Sequence, residues 1–252
     1  MDIIKDIIYV NKKTVKNSFQ SFKKSWYIIF TGIVYTILNL LIFNLVSSIF
    51  RGPLSILLGF ILAIVSSSFI SNYLYLLFNI VNYDRVTFQD FKDGFTALIW
   101  KIYGVFFISY IANLLLSLVI EPLGNEVGNI NSLLYLLAFV ILNALPETLY
   151  LKSYRPWDSI VSTFEFMKDN WLNWIIPNIV FLGLLYMITG NVVTDILNTH
   201  ISINVFSLLS VKGIIMYIIG QSIFSFMMIY RGHMYKILST STRRKREFMN
   251  KF

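Results

Sequence analysis

The chain of 252 residues contains no cysteine, which excludes disulfides, thiolate metal sites and cysteine nucleophiles. Histidine is nearly absent as well. His200 and His233 are the only two, too far apart in the expected topology to form a two-histidine metal site, so neither a metal nor another cofactor is expected. Charge is scarce: 13% of the residues are Asp, Glu, Lys or Arg, against about 25% in soluble domains. The apolar runs that replace it leave no polar stretch long enough to build a soluble domain. The sequence also lacks HExxH, GxSxG, a phosphate-binding glycine loop and the paired-aspartate motif of prenyl or phosphatidyl transferases. No catalytic residue is expected, and the chain reads as a non-enzyme.

What fills the chain is hydrocarbon. Hydrophobic residues make up 56% of it and the mean hydropathy is +0.68, which places it among polytopic membrane proteins. A helix needs about 20 largely apolar residues to cross a bilayer core. Six segments qualify, at 27–49, 54–81, 96–120, 132–151, 172–190 and 213–232, and Pro53 suits the first turn of the second. The fold expected is an all-α integral membrane protein of six transmembrane helices in three hairpins, forming one membrane domain over 1–252. The N-terminus, Met1-Asp2, spreads charge over some 25 residues before the first apolar run. That is not the layout of a cleaved signal peptide.

Lysine and arginine set the expected orientation. Nineteen of the 21 fall in the N-terminal segment, the second and fourth loops and the tail, leaving Arg51 and Lys212 for the other three loops. Both termini are therefore expected in the cytoplasm, in a bacterial cytoplasmic membrane. Trp26, Trp100, Trp157, Trp171 and Trp174 sit near the same ends, where indole rings favour the interface. The third loop carries Glu121 and Glu126 and no basic residue. The fifth, residues 191–212, is too apolar for an ordinary loop and too broken for a span, and is expected to lie on the outer surface or dip partway in.

An octet recurs before the first, third and fifth spans: FQSFKKSW at 19–26, FQDFKDGF at 88–95 and FEFMKDNW at 164–171. In register, Phe19, Phe88 and Phe164 open it. Phe22, Phe91 and Met167 stand fourth, Lys23, Lys92 and Lys168 fifth, and Trp26, Phe95 and Trp171 close it. Positions one, four and eight share a helical face, so each octet reads as a short amphipathic elbow on the cytoplasmic interface, suited to anionic headgroups. Tandem units of 1–82, 83–151 and 152–236 followed by a basic tail, 237–252, would arise from internal duplication. The shared demands of cytoplasmic juxtamembrane segments would produce the same pattern. The tail clusters Arg243, Arg244, Lys245 and Arg246, too few charges for nucleic-acid binding.

Within the spans the polar residues are uncharged. Ser68, Asn72 and Asn79 fall on one helical face, and Asn113, Asn143 and Gln221 add one amide each to three further helices. They read either as interhelical hydrogen bonds or as a weakly polar groove for a lipid, peptide or amphiphile. Glu147, beside Pro146 in LPETLYL, is the acidic residue closest to a span interior. Its expected partner is Arg155, with Lys101 and Lys152 as alternatives, in an ion pair at the interface.

With FQSFKKSW and LPETLYLKSYRPWDSIVSTFEFMKDNWLNWIIPN, residues 145–178, in view, the chain resembles a loose group of six-span bacterial membrane proteins. They are similar to the membrane domain ahead of some glycerophosphodiester phosphodiesterases and to its stand-alone relatives in Firmicutes. The resemblance implies a six-helix fold in the cytoplasmic membrane and no catalytic residues; without a soluble domain, phosphodiesterase chemistry does not carry over. A weaker similarity is to the permease subunits of exporter-type ABC transporters. The function expected is a membrane scaffold or accessory subunit acting at the lipid interface, with anionic lipid and a membrane partner. The alternative is a transporter membrane subunit that receives an ATPase.

Overall fold

A computed structural model describes residues 3–50, 55–122, 127–190, 193, 195–201 and 210–249. Pro53 and Glu126, on which two of the expectations above rest, lie outside the described residues, as do residues 202–209 of the fifth loop. Among the described residues the protein is all-helical. In chain order the helices are α1 (Ile3–Lys24), α2 (Thr31–Ile49), α3 (Ser55–Tyr83), α4 (Phe88–Ala97), α5 (Ile99–Ile120) and α6 (Val127–Ile141). They are followed by α7 (Leu145–Leu151), α8 (Pro156–Thr189), α9 (Val211–Thr240) and α10 (Arg243–Met249). Five segments are long and apolar enough to cross a membrane, and α6 with α7 makes a sixth when that pair, bent by 41°, is taken as one span.

The bend follows from Pro146. Proline has no N–H to donate and its ring crowds the carbonyl four residues back, and the helix breaks before Pro146, whereas α8 carries Pro177 without a break. Leu142 to Ala144 leave the helix, Leu145 N–H donates to the Leu142 carbonyl at 2.9 Å, and the chain resumes as α7 with proline in its first turn.

The three octets adopt different settings. The first ends α1, after which Trp26–Phe30 form a 3-10 turn leading into α2. The second is α4, separated from α3 by a turn with Asp84 in the left-handed region at φ 53°. α4 is started by a capping box in which Thr87 Oγ1 accepts from Asp90 N–H and the Asp90 carboxylate accepts from Thr87 N–H at 2.7 Å. The third octet is no separate element. It lies inside α8, which runs unbroken for 34 residues from Pro156, because nothing between 164 and 172 interrupts a helix.

α9 is the central strut, packed against α1, α3 and α8. Close approach is possible where it or a neighbour has no side chain: a Cβ at Gly232 would strike Tyr150 and Val81, and one at Gly32 would strike Tyr217 and Gln221. Burial is concentrated at one end of the bundle, called here the closed end. There Tyr73, Leu77, Ile80, Ile102, Leu149, Phe224 and Ile229 form the core. At the other, open end, α2, α5 and α6 expose apolar side chains on nearly every face, among them Leu41, Leu45, Leu115, Leu118, Val119, Leu133 and Leu136.

The described part of the fifth loop enters the bundle. Ile201 N–H donates to Gln221 Oε1 at 3.1 Å, the His200 ring lies 6.4 Å from that of Tyr35, and Ile201 and Thr189 both abut Gly220. Gly220 is nine residues into α9, hence about 13 Å from its start at 1.5 Å per residue. Irregular backbone at such depth is tolerated because protein surrounds it. The same burial lowers the pKa of His200.

Candidate functional site

The chemistry of this protein gathers at the closed end, in three polar assemblies that join helices far apart in sequence. The first is the buried pair of Glu147 on α7 and Arg231 on α9. Arg231 Nε donates to Glu147 Oε1 at 2.8 Å and its terminal nitrogen to Oε2 at 3.0 Å. That nitrogen also donates to the Asn143 carbonyl, which the Pro146 break has released from the helix. Trp174 from α8 lies against the guanidinium at 5.3 Å and donates its indole N–H to Asn143 Oδ1 at 2.9 Å. Both carboxylate oxygens of Glu147 are thereby satisfied by Arg231. Arg155, its expected partner, instead stands exposed at the start of α8, and Lys101 donates to the carbonyls of Leu149 and Lys152 at 2.7 and 2.6 Å.

The second assembly ties the two ends of the chain. Asp6 on α1 receives two hydrogen bonds from Arg246 on α10, both at 2.8 Å, and a third from Asn173 Nδ2 on α8 at 3.2 Å. Arg243 Nε stands 3.9 Å away. Asp6 is 0% exposed and Arg246 3%. Burial works to raise the Asp6 carboxyl, but the bonds and charge of Arg246, with Asn173 and Arg243, outweigh it and hold the group below the ordinary carboxylate value. In the third assembly Ser21 on α1 bridges His233 on α9 at 2.8 Å and Asp84 after α3 at 2.5 Å. The bond from Ser21, with Lys24 at 3.0 Å, lowers the Asp84 carboxyl against the effect of burial. Since Ser21 donates to Asp84, His233 Nε2 is the donor to Ser21. The carboxylate therefore bears on the serine and not on the imidazole, which is not the geometry that activates a nucleophile.

Two polar clefts flank the end of α9. One, of 670 Å³, is bounded by the start of α8, the end of α9 and α10, and includes Lys152, Glu165, Asp169, Asn173, Tyr235 and Lys245. The other, of 340 Å³, contains Ser21, Asn82, Asp84, His233 and Lys236.

The chain matches no protein-family model, no curated protein and no solved structure.

The residues singled out from sequence meet different fates. Ser68 Oγ donates to the Phe95 carbonyl at 2.9 Å, Asn72 Nδ2 to that of Phe91 at 2.5 Å and Ser71, between them, to that of Gly94 at 2.6 Å. The Gly94 and Phe95 carbonyls are among those that the end of α4 leaves without helical partners, and the Phe91 carbonyl lies one turn earlier, so this stripe of α3 anchors α4. Asn72 Oδ1 also accepts from Tyr35 OH. Asn143 belongs to the Arg231 assembly, Gln221 holds the fifth loop at Ile201, and Asn113 is exposed on α5, where it accepts from Tyr135 at 3.0 Å. Asn79 is buried with its amide nitrogen unpartnered. Of the six, Ser68 and Asn72 serve the contact of α3 with α4, and Asn143, Gln221 and Asn113 serve other contacts. Among the described residues no group of His, Asp and Glu could hold a metal ion.

In the octets the first residue is exposed each time, Phe19, Phe88 and Phe164, as are Lys23, Lys92 and Lys168. The fourth turns inward, Phe22 and Phe91 partly and Met167 fully; at the eighth Trp26 and Trp171 are exposed and Phe95 half-buried. Lys92 lies over the Phe88 ring at 4.8 Å.

Arg231, Asp6 and Arg246 went unrecognised in the sequence. A signal for Asp6 was present: Asp6, Val10, Thr14 and Ser18 recur every four residues, with Ser21 and Ser25 continuing the stripe. These are the residues α1 buries, together with the adjoining Ser25.

Proposed function

We propose that this is a non-enzymatic multi-pass membrane protein that acts by binding, as a scaffold or accessory subunit at the lipid interface. The observation that carries the reading is the three-sided character of α1. One side, Asp6, Val10, Thr14, Ser18 and Ser21, is buried in the bundle. A second, Ile4, Ile8, Val15 and Phe19, is exposed and apolar. A third carries the exposed lysines Lys5, Lys12, Lys16 and Lys23. A helix with adjacent apolar and basic faces partitions to the surface of an anionic bilayer, and the buried face fixes it there as part of the bundle. The distribution of Lys and Arg supports an orientation with both termini and the closed end in the cytoplasm of a bacterial cell. The engagement of Ser68 and Asn72 in anchoring α4 removes the reason to draw a substrate path along that stripe.

Purification in mild detergent followed by mass spectrometry of co-purifying proteins and lipids tests the reading. Lipid or a non-ATPase membrane partner is the expected outcome. A stoichiometric ATPase, or movement or conversion of a substrate by the partner-free protein in liposomes, overturns it. Orientation is checked separately with single cysteines at the exposed positions Gln20, Glu121, Asp158 and Arg244, in a chain that has none of its own. An impermeant thiol reagent should label only position 121 in intact cells.

A further inference from the structure

The fifth loop carries a titratable group to a place where no charge answers it. Val193, Ile196 and Leu197 pack on the hydrophobic core, Thr199 and Ile201 are buried, and His200 stands partly buried between them. The elements around the imidazole present uncharged groups: Tyr35 from α2, its ring 6.4 Å away, and, through Ile201, Gly220 and Gln221 from α9 and Thr189 from the end of α8. Within the loop Thr199 Oγ1 is hydrogen-bonded to His200 Nδ1 at 2.8 Å, and Asp195 is exposed. Among the described residues no carboxylate, ammonium or guanidinium acts on the ring, and burial alone draws its pKa below the ordinary histidine value.

A neutral imidazole has one donor and one acceptor, and the bond with Thr199 serves one of them. A proton adds a second N–H and a full charge, which burial penalises unless a partner is at hand. None is: Gln221 Oε1 already accepts from Ile201 N–H, and the Tyr35 hydroxyl is directed to Asn72. The Tyr35 ring centre lies beyond the roughly 6 Å over which an aromatic face attracts a cation. Against this, the segment is held by the bond from Ile201 to Gln221 and by apolar contacts, neither of which changes with pH. We propose that His200 governs insertion of the fifth loop: with the imidazole neutral, residues 195–201 stay in the bundle, and on taking up a proton they leave it for water, uncovering Gly220 and Gln221 on α9. Histidine in water titrates near about pH 6.5 and the inserted group titrates lower. Insertion is therefore complete above about pH 6.5, and the ratio of released to inserted loop rises by up to about tenfold for each pH unit below it. In the orientation proposed above the loop is on the outer side, so the proton comes from outside the cell.

The test is double electron–electron resonance on the full chain in detergent, with spin labels at Gln20→Cys on α1 and Asp195→Cys in the loop; the chain has no cysteine of its own. In detergent both faces meet the same pH, so the result does not depend on orientation. One distance is expected at about pH 8, and a longer one should grow reversibly between about pH 6.5 and pH 5. His200→Gln, neutral throughout, should keep the loop inserted at about pH 5, and His200→Arg, charged throughout, should hold it out already at about pH 8. In His233→Gln, where His200 is the one histidine left, the ring 15N shift should report protonation with the same midpoint as the distance change. Circular dichroism and size exclusion confirm that each variant is folded. A parent distance that ignores pH, a folded His200→Gln that follows pH as the parent does, a folded His200→Arg with the loop inserted, or midpoints of protonation and movement that lie apart overturns the proposal.

Discussion

The two ends of this bundle are built on different principles. At the closed end, from Ser67 to Val81 on α3, Asn143 to Tyr150 around α7 and Gly220 to Tyr235 on α9, burial is nearly continuous. The contacts there are polar at least as much as apolar: Glu147 with Arg231, Asp6 with Arg246, Ser21 with His233, Ser71 with α4. At the open end α5 exposes all twelve residues from Phe107 to Leu118 at least partly to its surroundings, and Tyr135 on α6 bonds to Asn113 on α5. Hydrocarbon is as apolar as leucine, so lipid gives such helices no reason to cluster, and only shape and polar bonds hold them together. The closed end has both; the open end has little of either.

That contrast can be broken from the closed end first. Arg231→Ala leaves the Glu147 carboxylate buried and unpaired, and should destabilise the protein by about 3–5 kcal/mol in thermal or chemical denaturation in detergent. Replacing both partners, Glu147→Gln with Arg231→Met, should recover a large part of the loss. If the single variant melts like the parent, the pair is not the keystone described here.

The latch between Asp6 and Arg246 is next in size. Arg246→Ala removes charge-assisted hydrogen bonds worth on the order of 2 kcal/mol. The pH dependence has a definite sign. The folded Asp6 pKa lies below its unfolded value of about 3.9, so the latch contributes fully above that pH and fades as the medium is acidified through the folded pKa. Limited proteolysis of the tail should therefore accelerate below about pH 4 in the parent and be fast already at neutral pH in Arg246→Ala. Acceleration on raising the pH would contradict the assignment.

Ser71→Ala takes a donor from the Gly94 carbonyl and an acceptor from Leu98 N–H. A loss of about 1 kcal/mol is expected, with faster hydrogen exchange confined to α4. Leu118→Ala, at the open end, should change stability by no more than about 0.5 kcal/mol. A large effect there would mean that the open end is covered by something the single chain does not contain.

The spans themselves were legible. Runs at 27–49, 54–81 and 96–120 fall within or along the helices found, because about 20 apolar residues have few other uses. The third octet shows where pattern failed: its letters match those at 19 and 88, yet at 164 they continue one long helix, so the octet does not itself set a helix break. Glu147 was recognisable as the acid closest to a span interior, but its partner lies 84 residues away on α9, and adjacency in sequence pointed to Arg155 instead. The lesson of α1 is the sharpest. Its apolar side, Ile4, Ile8, Val15 and Phe19, is exposed and is not the packing face it would be in water. Against other helices in a membrane, small and hydroxyl-bearing residues permit close approach and hydrogen bonds, and the Asp6–Thr14–Ser18–Ser21 stripe took that role.

The latch of Asp6 to Arg246 joins residues 240 positions apart. A ribosome releases the first long before the second exists, so α1 must wait for its partner through the synthesis of every span. On the interfacial role proposed for α1, its lysines and exposed isoleucines give it a place to wait, on the membrane surface. Closure of the latch then requires that α10 has been made, and a product stopped short of it leaves Asp6 without Arg246, a loose end for quality-control proteases.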